Sequence, residues 1–106
     1  MFGKKMMTER TYMGLDDDLK NGMTPTAKII LDAKVFGLID DSENCLGWNA
    51  NGISALYEKV SLAWEPHGLL PSRLPDDLRA RHTEIFDKAI KTAKANGWDP
   101  EQDLLD

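Results

Sequence analysis

A chain of 106 residues with 42% apolar side chains has the length and composition of one small globular domain. No apolar run is long enough to cross a bilayer, and the start, MFGKKMMTERTYMG, lacks the unbroken apolar stretch of a secretory leader. The formal charge of -5 offers no clustered positive face, so neither a phosphate backbone nor an anionic membrane is an expected partner.

Residues 1–22 show no sustained apolar period and include LDDDLKNG, which reads as a mobile arm ahead of a single helical domain over 23–106. The domain opens with MTPT. Thr24 is suited to accept a hydrogen bond from the free amides of a first turn, and Pro25 fits the first helical position. The helix reads TAKIILDAKVF and stops at Gly37, which tolerates the left-handed cap conformation, with Leu38 folding back on the last turn.

A second helix is expected from near Asn51 to about Glu65, where Ile53, Leu56, Tyr57, Val60, Ala63 and Trp64 recur at helical spacing. Pro66 ends it, having no amide hydrogen and disfavouring a helical residue before it. A third and longest helix begins around Pro75. Asp76 and Asp77 sit at the positive end of its dipole, and Lys88, Lys91 and Lys94 lie towards the negative end. Leu78, Ile85, Phe86, Ala89 and Ala93 form its apolar stripe, and Asn96-Gly97 is its stop. The tail WDPEQDLLD adds one short turn with Asp99 as its cap. No strand-like alternation of useful length competes, so the fold class is all-α: a small three-helix bundle with a flexible N-terminal arm and a short C-terminal turn.

The first helix raises a packing question. Ile29, Ala33 and Phe36 share one face, while Leu31 and Val35 lie nearly opposite. A helix apolar on most sides is buried on most sides, and a single layer of three helices covers only part of it. Either loops cover the rest or a second chain does. Leu31 and Val35, together with Leu62 opposite the stripe of the second helix, are the expected oligomer face.

No residue set composes a catalytic constellation. His82 falls at the centre of the stripe made by Leu78, Ile85 and Ala89, where burial lowers an imidazole pKa. The plain role is a core or rim histidine bonded to a backbone carbonyl or to Tyr57; the sharper one is a tuned base beside a ligand pocket. Cys45, His67 and His82 lack the close pairing of a zinc site, so no metal is expected. Cys45 stands alone, which agrees with a reducing cytoplasmic compartment, and its acidic neighbours raise rather than activate the thiol. DDSEN lacks the alternating ligands of a calcium loop, and no glycine-rich phosphate motif occurs, so no cofactor is expected. The connections of roughly twelve and nine residues are too long for a helix-turn-helix.

The stretch SLAWEPHGLLPSRLPDD is too apolar for a solvated connection. Leu69, Leu70 and Leu74 are expected to fold back over the bundle end, with Trp48, Trp64 and Trp98 as lids. The alternative is that Trp64, His67, Leu69, Leu70 and Arg73 leave an apolar interaction patch, since tryptophan and arginine are common anchors of binding energy. The leading functional expectation is a cytoplasmic helical accessory or adaptor protein that binds a protein partner or a second copy of itself. A ligand-binding or enzymatic subunit with a pocket near His82 is the second, and a DNA-binding regulator the third.

Overall fold

The computed structural model describes residues 11–99, which are mostly helical and contain no strand. A single helical turn, α1 (Leu15–Asp18), runs into a 3-10 turn at Leu19–Asn21. Then come α2 (Pro25–Val35), α3 (Ala50–Trp64), two 3-10 turns at Glu65–His67 and Pro71–Arg73, and α4 (Asp76–Ala95). The tail turn expected after Asp99 lies outside the described residues.

The helix ends follow their local chemistry. Thr24 Oγ1 accepts the Ala27 amide at 3.1 Å, with Pro25 in the first turn. Asn49, two residues ahead of the expected start, caps α3 by accepting the Gly52 amide at 2.9 Å. At the end of α2 the Leu38 amide reaches back to the Ala33 carbonyl at 2.8 Å across Gly37, whose φ is 71°. Arg81 of α4 finishes the same terminus from outside. Its guanidinium donates to the Lys34 carbonyl at 2.8 Å and the Val35 carbonyl at 3.3 Å, and it pairs with Asp41 in the following loop.

The three main helices do not close a bundle. α2 packs against both α3 and α4, whereas the backbones of α3 and α4 scarcely approach each other. α2 is therefore the spine of the molecule, with Ala27, Ile30, Leu31, Ala33 and Val35 all buried. The expectation of a helix buried on most sides holds, and the cover comes from the same chain. Leu31 and Val35 are 3% and 1% exposed, so two of the three residues expected on an oligomer face are core. Leu62 alone of that set is exposed.

Part of the cover comes from the segment expected to be a mobile arm. Residues 1–10 lie outside the described residues, but 11–22 are folded onto the domain and bury Leu15, Asp18 and Leu19. Tyr12 exchanges backbone hydrogen bonds with the loop before α3, its N–H donating to the Trp48 carbonyl and its carbonyl accepting the Gly47 N–H, both at 2.8 Å. Asp18 is 4% exposed; its Oδ2 accepts the Tyr12 hydroxyl at 2.6 Å and the Thr24 hydroxyl at 2.7 Å. Thr24 thus donates to the carboxylate while accepting from the first turn of α2, so one hydroxyl joins arm and spine. The Tyr12 phenol is pushed well above its ordinary value, first by burial and then by its bond to Asp18. Gly22 closes the segment at φ 96°, and a Cβ there would drive into the Trp98 ring, 2.9 Å from Cγ.

Candidate functional site

Because α3 and α4 are each held by α2 and not by each other, an open groove of about 750 Å³ lies between them. Its floor is the exposed-side face of α2, with Lys28, Ile29 and Asp32. Tyr57, Val60 and Trp64 form the α3 wall, spaced three and four apart so that they point the same way. His82 and Phe86 form the α4 wall by the same rule, and Gly68, Leu69 and Pro71 close the end.

Aromatic rings hold that end. Trp64 lies edge-on to Phe36 at 5.2 Å, to His82 at 6.1 Å and to His67 at 6.5 Å. His82 stacks on Phe86 at 4.3 Å, and His67 on Phe36 at 6.2 Å. Trp64 and His82 are where the two walls meet. The indole is only 7% exposed, so of the expected patch Trp64 belongs mainly to the core.

The other patch residues divide. His67 is half-buried, and Leu69, Leu70 and Arg73 are exposed. Of the three leucines expected to fold back over the bundle end, only Leu74 does, at 3% exposure; Leu69 is 68% exposed and Leu70 48%. Leu69 also stands at φ 63°, directly after Gly68 at 61°. A leucine in the left-handed region costs about 1–2 kcal/mol, and this one gains no burial in return. Tyr57, expected in the core stripe of α3, is 54% exposed on the groove rim.

The groove holds two tuned groups. His82 forms no hydrogen bond among the described residues, neither to a backbone carbonyl nor to Tyr57, and burial lowers its pKa. Asp32 has its pKa pushed up to about 6 by burial, against which a hydrogen bond from the Trp64 indole and the charge of Lys28 act only in part. Its Oδ1 is buried with no hydrogen-bond partner, and Asp32 forms no ion pair among the described residues. Asp32 is not among the residues that the sequence marks out. The signal available was a carboxylate on the face shared with Ile29 and Phe36, a turn away from each.

A second cleft of about 420 Å³ lies on the other side of α2, bordered by Leu15, Leu31, Lys34, Arg81 and Lys88 with Asp41 and Glu84. Its charges are of both signs, and Arg81 is committed to the end of α2. Arg79 likewise pairs with Asp76 at 2.8 Å, so both of these arginines are engaged within the chain. Cys45 is fully buried in the loop before α3, its thiol pushed up to about 11 first by burial and then by Glu43. Among the described residues no three histidine, cysteine or acidic side chains gather as a metal site, and no helix is long and apolar enough to cross a membrane. No family model, curated protein or solved structure matches the chain.

Proposed function

We propose that the protein acts by binding, as a small cytoplasmic accessory or adaptor that receives an apolar segment of another protein in the groove between α3 and α4. The observation that carries this is the exposed apolar rim. Tyr57 on one wall and Leu69 at the closed end stand open to solvent beside a groove walled by Val60, Trp64 and Phe86. Leu69 is held there by a strained backbone. Strain kept at an exposed position marks a place where geometry is retained for a use other than stability. The groove is also mostly apolar with a few converging polar groups, the usual composition of a docking site.

The test is affinity purification of the tagged protein at native level, run in parallel with Tyr57→Ala/Leu69→Asp. A stoichiometric protein retained by the parent and lost from the double variant, with helicity unchanged by circular dichroism, supports the reading. A partner retained by both rejects it. A second reading, a small-molecule pocket, draws on the presence of His82 and Asp32 in the same groove. A ligand-free His82 that titrates at an ordinary value by NMR would count against it, since the ring would then feel no dry pocket.

A further inference from the structure

We infer that the groove is built to take an arginine side chain of the docking segment, its guanidinium set against Asp32 and its plane against the aromatic rings that line the groove, Tyr57 foremost. This rests on the docking reading above and names its chemistry. Three observations converge. First, Asp32 is a half-buried carboxylate on the groove floor with no ion pair among the described residues; its Oδ1 is buried without a donor, and the Trp64 indole is the side chain that bonds the carboxylate. A charge in that setting is compensated best by a cation arriving from the open side, because the other sides are closed by the core. Second, the groups above it are rings. Trp64, His82, Phe86 and Tyr57 line one groove, and cations are drawn to such faces. Third, the formal charge facing the groove is negative. Asp32 and Glu65 outweigh Lys28, and His82 has its pKa lowered by burial.

Among natural cations the arginine head suits this site best. It is planar, stacks on aromatic rings and is weakly hydrated, so entering a half-dry groove costs it less than it costs a compact ammonium. Its aliphatic stem lies along Val60 and Leu69, the apolar stretch leading to the floor.

The experiment is an NMR titration of the full chain with N-acetyl-arginine methylamide, its neutral isostere N-acetyl-citrulline methylamide, and the lysine counterpart. Backbone amides around Asp32 and the Trp64 indole N–H are the reporters. Arginine is expected to bind in the millimolar range and about fivefold or more tighter than citrulline, with lysine between them. Asp32→Asn is expected to erase the preference of arginine over citrulline. Should that variant misfold, the exposed Lys28→Gln tests the same idea in the opposite sense, raising the preference about twofold by removing a competing charge. Equal binding of arginine and citrulline, a lysine preference, no binding of any probe at about 10 mM, or a preference indifferent to Asp32 or Lys28 overturns the inference. The two proposals fail separately. If Tyr57→Ala/Leu69→Asp loses its partner while arginine and citrulline bind alike, the docking reading stands and the arginine assignment falls. If arginine is preferred yet the partner survives the double variant, the groove is a site for small cations, and the assignment to a protein partner is overturned.

Discussion

Removing the Asp18 carboxylate leaves the Tyr12 and Thr24 hydroxyls without their acceptor in a closed setting. Asp18→Ala is expected to destabilise the fold by about 2–3 kcal/mol in urea unfolding, and Tyr12→Phe by about 1 kcal/mol. The two losses are expected to sum to more than the double variant shows, because they break one network. Asp32 behaves in the opposite sense. Its folded pKa of about 6 stands above its ordinary 3.8, so the fold favours the protonated form. Its contribution is complete below about pH 4, shrinks as the unfolded chain ionises, and is lost once pH passes about 6. Asp32→Asn is therefore expected to be neutral at pH 4 and more stable than the parent at pH 8. The gain is about 1–2 kcal/mol after allowing for solvent screening at the groove, measured as the difference between two urea curves. Lys28, Tyr57, Glu65 and His82 share that groove, which is why the comparison is made against the variant and not along the parent's pH profile.

At the scale of the element, helix existence was legible and arm packing was not. Thr24-Pro25, Pro66 and Asn96-Gly97 punctuate the chain as local chemistry requires, and the helices end within one or two residues of those marks. The segment 11–22 gave no comparable signal. LDDDLKNG has the charge density of a solvated stretch, and only the three-dimensional meeting of Asp18 with Thr24 and Tyr12 makes one of its aspartates a core residue. Leu15 and Leu19 are four apart, but a single turn is too short for its period to stand out. The segment is expected to be structural: Leu19→Ala should cost about 2–4 kcal/mol, whereas a true arm would show no change. Gly22→Ala should be comparably damaging by displacing Trp98, and a blue-to-red shift of indole fluorescence in the folded variant would report it. Leu69 and Leu70 depart from expectation for a related reason. Apolar character alone does not say whether a loop residue is covered, and here the left-handed turn at Gly68-Leu69 carries the side chain outward.

At the scale of the whole molecule, α2 organises everything else. The residue pattern made clear that this helix needed cover on several sides, but not which elements would supply it. That depended on the arm, whose packing no local motif encoded. The amides of Ile30 to Val35 are accordingly expected to be the slowest to exchange, and to remain so on tenfold dilution. Protection that falls with dilution would mean that a second chain supplies the cover. Arg81 ties the end of this spine to α4 and to the loop at Asp41, so Arg81→Ala is expected to cost about 1–3 kcal/mol, with Arg81→Lys recovering little because one ammonium cannot span both carbonyls.

That α3 and α4 are each fastened to a common helix, with little backbone approach to each other and with Trp64 edge-on to His82 between them, has a mechanical consequence. The two walls form a jaw on one hinge bar. Widening it is expected to part the Trp64 and His82 rings before either seam on α2 opens. A bulky docked segment is expected to spread the jaw at that contact first, and a slim one to lie where the rings already meet.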